Sequence, residues 1–282
     1  MRLDGNVAVI TGASMGIGRA IATAFAAEGA QLMLCARGLE GLEETRAALR
    51  PYGRRIEVMS ADIGDASQAR AVIERAEGAF GAIDLLVNNA GVYGPIGPVW
   101  ENDEDEWWAA VRVNLLGTFL MCKFTVPVLQ RRGGGRIINM AGGGALSPFP
   151  RYTAYGISKA GVVRLTETLA EEVRPLGINV NAIAPGFVVT RMHQETLRAG
   201  ERAGKDFLDK TRKAIQEGGV PAETPAALAV FLASDESAGL TGRVLSAVWD
   251  NWQELGPRIA EIMDSDMYTM RRIMPRDRGH DW

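Results

Sequence analysis

What most constrains this chain is the way its apolar runs switch period along the sequence. Val7–Thr11, Gln31–Ala36, Ile56–Ser60, Ile83–Asn88, Arg136–Met140, Ile178–Ala184 and Arg243–Val248 are short, apolar and β-rich, and read as strands. Between them, Gly18–Glu28, Leu39–Leu49, Asp65–Phe80, Asp103–Leu129, Tyr152–Arg174 and Thr224–Leu232 carry helical periodicity. Strands this apolar are buried on both faces, which requires a parallel sheet with helices on both sides. The expected fold is α/β, a doubly wound parallel sheet of about seven strands in a single domain. Two segments fall outside the alternation: 188–219, and everything after Val248. The expected division is a domain over 1–248 with an insert at 188–219, followed by an extension over 249–282.

Composition excludes several function classes. A net charge of −3 over 282 residues gives no electrostatic pull toward nucleic acid or an anionic bilayer. Cys35 and Cys122 lie inside apolar runs and form neither a disulfide framework nor a metal spacing. His193 and His280 cannot build a metal cluster between them. The first strand begins within a few residues of Met1, leaving no room for a leader, and no apolar run approaches membrane length. The expectation is a cytoplasmic protein with a small-molecule substrate, no metal, no membrane and no nucleic acid.

Chemistry is concentrated at strand ends. Thr11-Gly12-Ala13-Ser14-Met15-Gly16-Ile17-Gly18 follows the first strand and opens the first helix. Glycines there let the backbone approach a pyrophosphate, and the helix start offers free N–H groups. Tyr155 and Lys159 are four residues apart, on one face of a helix. An ammonium beside a phenol favours the phenolate, making the tyrosine usable near neutral pH.

These residues occur in order with Asn88-Asn89-Ala90-Gly91, Asn114 and Pro185-Gly186. Over roughly its first 245 residues the chain resembles the short-chain dehydrogenase/reductase family, whose fold is Rossmann-type. The resemblance implies an NAD(P)(H)-dependent oxidoreductase interconverting a carbonyl and a secondary alcohol. Tyr155 would be the acid/base, Lys159 would bind the nicotinamide ribose and depress the tyrosine, and Asn114 would hold a relay water. Gly12, Ser14, Ile17 and Gly18 would form the pyrophosphate turn. Asp62 and Ile63 would meet the adenine, although Asp62 could instead cap the next helix. Asn89, Ala90 and Gly91 would wall the ribose, with Asn88 tying strands. Pro185, Gly186, Val188 and Thr190 would clamp the carboxamide. A homodimer or homotetramer is implied, with the two longest helices paired across a two-fold axis.

Cofactor choice is read at the end of the second strand. An acid there would bond a ribose 2′-hydroxyl and repel a 2′-phosphate. The chain has Ala36-Arg37, and a guanidinium suits a phosphate. NADP(H) is favoured, with NAD(H) left open.

Two departures stand out. The serine expected thirteen residues before Tyr155 is Gly142. Loss of such a donor costs about 10²–10³ in rate. Ser147, Tyr152, Thr153 or the N–H groups of the glycine run could replace it. Alternatively, the substrate is an imine or activated C=C bond, or the protein binds cofactor without turnover. The second departure is the extension, where Trp249, Trp252, Leu255, Ile259, Ile262 and Met263 approximate a helical stripe. It is expected to pack on its own domain or a neighbouring subunit, with a lid over a site as the sharper alternative. In the insert, Phe187, Met192 and Phe207 are candidates for an apolar pocket, and Arg191 or His193 for an anionic substrate.

Overall fold

The computed structural model describes residues Met1–Trp282. Strands β1 (Val7–Thr11), β2 (Gln31–Ala36), β3 (Ile56–Ser60), β4 (Leu85–Asn88), β5 (Gly135–Met140), β6 (Ile178–Ala184) and β7 (Val244–Ser246) form one sheet. Its order is β3-β2-β1-β4-β5-β6-β7, with every pairing parallel. The helices are α1 (Gly16–Ala27), α2 (Leu39–Leu49), α3 (Ala66–Phe80), α4 (Glu104–Val111), α5 (Gly117–Arg132), α6 (Thr153–Val173), α7 (Arg191–Ala199), α8 (Lys205–Glu217), α9 (Glu223–Ala233) and α10 (Ile259–Met263).

Alternation along the strands builds two cores. Ala8 and Ile10 of β1 face one side, where Phe25 of α1, Leu42 of α2 and Phe231 of α9 pack. Val9 faces the other, against Val72 of α3, Leu120 of α5 and Ala170 of α6. The doubly wound α/β reading therefore holds. Because β4 pairs with the opposite side of β1 from β2, the winding reverses there. That opens a crevice at the carboxyl ends of the strands.

Element boundaries moved where polar side chains intervene. Ile83 and Asp84 lie outside β4, and the Asp84 carboxylate accepts from the N–H of Val7 at 2.8 Å. β7 ends at Ser246, whose N–H donates to Asp250 Oδ2 at 2.6 Å. The single helix expected over Asp103–Leu129 is α4 and α5 joined by a π-helical turn at Arg112–Leu116. No apolar run of membrane length was expected, yet by length and composition alone this 29-residue helical run could cross one. Half of its most apolar window is buried within the protein.

The insert folds as α7 and α8. The extension packs on its own chain, but not as one helix, because Gly256 and Pro257 interrupt the stripe. Trp252, Leu255 and Ile262 join the first core, with the Trp252 ring 5.7 Å from that of Phe231. The buried Arg243 guanidinium donates to the carbonyls of Ile262 and Ser265, both at 3.0 Å. The Tyr268 carbonyl then accepts from Val244 N–H at 2.8 Å, beside β7.

Candidate active site

The turn after β1 is set by backbone contacts. Gly12 has φ +65°, and a Cβ there would lie 2.8 Å from Ala90 Cα. At Gly18 a Cβ would overlap the Gly12 carbonyl oxygen and lie 2.5 Å from Asn89 Nδ2. Asn89 holds this approach, donating from Nδ2 to the carbonyls of Thr11 at 3.0 Å and Gly12 at 3.2 Å. The Thr11 hydroxyl accepts from the N–H groups of Asn89 and Ala90, each at 3.0 Å. Arg19 pins the turn from outside, donating to the Ser14 carbonyl at 2.6 Å and to Thr45 Oγ1 at 2.9 Å.

A dinucleotide phosphate fits the turn. The residue before α1 is Met15, which supplies no capping acceptor, and the first turn holds no acid. The helix start thus keeps free N–H groups and an uncompensated positive end. α3 and α4 are instead closed by the carboxylates of Asp65 and Asp103.

Other expected contacts lie along the same crevice. Arg37 is exposed at the end of β2, with only its carbonyl engaged, by the Ser60 hydroxyl at 2.8 Å. Asp62 does not cap α3, since Asp65 does; its Oδ1 accepts from Gly64 N–H at 2.9 Å. Ile63 is buried. Asn88 is buried and donates to Asn139 Oδ1 at 2.9 Å, tying β4 to β5. On the far wall, a Cβ at Gly186 would meet Val248 Cγ2 at 2.5 Å, and Val188 is buried. Thr190 reaches the first turn, its methyl 3.4 Å from where a Gly16 Cβ would sit. Ile17 is half-buried, and Pro185 likewise.

Tyr155 and Lys159 come from the first turns of α6. The Lys159 ammonium donates to the Met140 carbonyl at 2.8 Å, and it lies 5.7 Å from the Tyr155 ring centre. A Cβ at Gly91 would be 3.6 Å from Lys159 Nζ and 3.2 Å from Asn114 Oδ1. Asn114 is fully buried in the π-helical turn. It accepts from Val92 N–H and donates to the Val92 carbonyl, both at 2.8 Å, and donates to Ser158 Oγ at 3.0 Å. Its side chain thus clamps the loop following Gly91 rather than standing free.

The electrostatics differ from the expectation that lysine lowers the tyrosine. Burial dominates both groups. It pushes the Tyr155 phenol up and Lys159 down to about 8.

Around Tyr155 lies an aromatic wall. Tyr93 meets the rings of Tyr152 and Tyr155 edge-on, at 4.9 Å each. Phe149 stacks on Tyr152 at 4.4 Å and meets Phe207 at 4.8 Å. Met192 packs on the same cluster. Phe187 lies 4.2 Å from the ring of His193, whose Nδ1 accepts from Thr190 N–H at 3.2 Å. Burial lowers His193 to about 4. Tyr93 and Phe149 were missed from sequence: each sits in an aperiodic loop, where no pattern marks which side chains turn inward.

Two of the three hydroxyls expected to replace a serine at 142 are otherwise engaged. Tyr152 is fully buried, with its hydroxyl 2.9 Å from Thr196 Oγ1. Thr153 Oγ1 accepts from Trp107 Nε1 at 3.1 Å. Ser147 is exposed on the loop and joins no hydrogen bond. The N–H groups of Gly142, Gly143 and Gly144 have no acceptor in the protein.

Comparison with known proteins agrees with this architecture. A family model described as short chain dehydrogenase matches residues 6–200. The D-threitol dehydrogenase of Mycolicibacterium smegmatis is 38% identical over 243 residues, 86% of this chain and 90% of that protein. An NAD+-bound xylitol dehydrogenase superposes with a TM-score of 0.80 at 27% identity, covering 87% of this chain and 98% of that one. An actinorhodin polyketide ketoreductase solved with NADPH gives 0.78 at 30% identity, covering 86% and 95%. With the parallel sheet, the glycine turn after its first strand and this breadth of similarity, the chain belongs to the short-chain dehydrogenase/reductase family of oxidoreductases.

Proposed function

We propose that this protein interconverts a carbonyl and a secondary alcohol using NAD(P)(H), with NADPH preferred and Tyr155 as the acid/base. The observation carrying this reading is the pairing of a free Tyr155 hydroxyl with a Lys159 ammonium anchored on Met140, beside a turn fitted to a dinucleotide phosphate. When bound, the cofactor supplies the hydride that forms the C–H bond at the carbonyl carbon. Tyr155 gives its proton to the carbonyl oxygen; a phenol raised by burial is protonated at neutral pH, the form reduction needs. Lys159, about 8, is near enough to neutral to return that proton. Asn114 keeps Val92 and Ser158 in place around it.

NADPH preference rests on Arg37, whose unengaged guanidinium stands at the end of β2 where a 2′-phosphate would lie. Gly12, Ser14, Ile17 and Gly18 would take the pyrophosphate, Asp62 and Ile63 the adenine, Asn89, Ala90 and Gly91 the ribose. Pro185, Gly186, Val188 and Thr190 would hold the carboxamide. Phe187 and Met192 would meet substrate. The exposed Leu116, Phe119 and Ile157 support self-association of these helices into a dimer or tetramer. Cys35 and Cys122, both free and buried, suit the reducing cytoplasm. Residues 1–248 would form the catalytic domain and 249–282 its appended brace.

A second reading, reduction of an imine or an activated C=C bond, is favoured by the glycine at 142. The test is oxidation of NADPH and NADH against ketones, aldehydes, imines and enones. Ketone or aldehyde turnover with NADPH is expected, falling about 10²–10⁴-fold in Tyr155→Phe while NADPH still binds. Turnover of imines or enones alone would select the second reading. Tight NADPH binding with no turnover of any class would make the protein a cofactor-binding protein.

A further inference from the structure

Gly142 stands where the resemblance calls for a serine, and the space a side chain would need is already filled. A Cβ at 142 would overlap the Tyr155 hydroxyl oxygen and lie 3.1 Å from Cζ and 3.4 Å from Cε1. Gly142 does not have a left-handed φ, unlike Gly144 at +84°. Its backbone is therefore open to any residue, and the requirement for glycine there is one of space.

Neither side of the contact yields easily. The Tyr155 ring is walled by Tyr93 and, at 6.2 Å, by Phe149. Across from it, Ala141 N–H donates to the Ile183 carbonyl at 2.9 Å, and Ala145 N–H to the Gly142 carbonyl at 3.1 Å. Two residues earlier, the Met140 carbonyl is held by Lys159. At Gly144 a Cβ would lie 2.8 Å from Gly156 Cα, so the loop already rests on the backbone of α6.

We propose that Gly142 is a positioning residue: its missing side chain is the seat of the Tyr155 hydroxyl, and a serine restored there would misplace the acid/base. The glycine is then not a defect that another hydroxyl repairs. It is one half of a pair in which the tyrosine sits deeper against the β5 loop. The proposal rests on the assignment of Tyr155 as acid/base, but its physical core, the steric coupling of 142 to 155, can be read without turnover.

Gly142→Ala and Gly142→Ser are made in the natural chain and in Tyr155→Phe. Thermal unfolding, NADPH Kd and, for the natural background, steady-state kinetics are measured on the full-length protein. In the natural background each substitution lowers kcat by about 10–100-fold with NADPH Kd within about twofold. Gly142→Ala also lowers Tm by about 2–10 °C. In Tyr155→Phe the nearest atom retreats to Cζ, and the Tm loss from Gly142→Ala shrinks to about 1 °C or less. Should Gly142→Ala fail to fold alone yet fold with Tyr155→Phe, the coupling is shown the more directly. Equal Tm losses in both backgrounds, or failure to fold in both, would overturn the proposal. So would a Gly142→Ser enzyme with kcat unchanged or raised. If Tyr155→Phe itself keeps full turnover, the acid/base assignment fails, while the Tm cycle still decides whether Gly142 seats the tyrosine.

Discussion

Two glycine-rich loops, after β1 and after β5, sit at the same end of the same sheet and look alike in composition, yet their glycines answer to different neighbours. After β1 the obstacle is main chain: the Gly12 carbonyl stands against Gly18, and Ala90 Cα against Gly12. After β5 the obstacle at Gly142 is the tip of one side chain, the Tyr155 hydroxyl. A clash with backbone can be relieved only by moving strands whose hydrogen bonds fix them. A clash with a side chain can be relieved by removing that side chain. The first loop is therefore fixed by main chain, and the second by the one side chain that rests on it.

The sharpest way to break this contrast is Gly18→Ala. Its Cβ meets the Gly12 carbonyl and Asn89 Nδ2, so NADPH Kd should rise by at least about 100-fold, or the fold should be lost. Adding Asn89→Ala removes one obstacle and leaves the carbonyl, so binding measured by fluorescence titration should stay defective. Recovery in that double variant would mean the first loop is side-chain-limited like the second. A smaller effect is expected at Arg37, a side chain at the end of β2 proposed to meet the 2′-phosphate. Arg37→Ala should raise the NADPH KM by about 10–100-fold and leave the NADH KM within about twofold. Equal changes for both cofactors would remove Arg37 from the 2′-phosphate and with it the case for NADPH.

The contrast also explains how far the sequence could be read. β1, β2, β3 and β6 fall at their expected residues because period and burial are local properties of each run. Gly12 and Gly18 are legible because a turn between strand and helix leaves few alternatives. The role of Gly142 was not, since nothing in Gly142-Gly143-Gly144 says which side chain will come to rest above it. Tyr152 looked like a spare donor and is instead a buried wall bonded to Thr196, a partner 44 residues away in α7. Asn114 stood out in the sequence but its geometry did not, because the π-helical turn that aims it at Val92 has no sequence period of its own.

The smallest expected effect concerns His193, in the first turn of α7. His193 caps α7 by accepting from Thr190 N–H, and Thr190 lies against the glycine turn while the His193 ring lies on Phe187. Burial lowers its folded value from 6.5 to about 4. Between those values the unfolded chain binds a proton that the folded chain refuses, so unfolding is favoured as pH falls. The stability associated with neutral His193 is complete above about pH 6.5 and is lost progressively toward pH 4, amounting to about 2–3 kcal/mol. His193→Asn keeps an acceptor near the Nδ1 position and removes the titration. Its stability relative to the natural protein, from urea unfolding at pH 7, 5.5 and 4.5, should improve steadily as the pH is lowered, whatever its offset at pH 7. A difference that stays constant across that range would mean His193 is wet enough to protonate in place. The cap that holds Thr190 beside the glycine turn would then be looser than the turn itself.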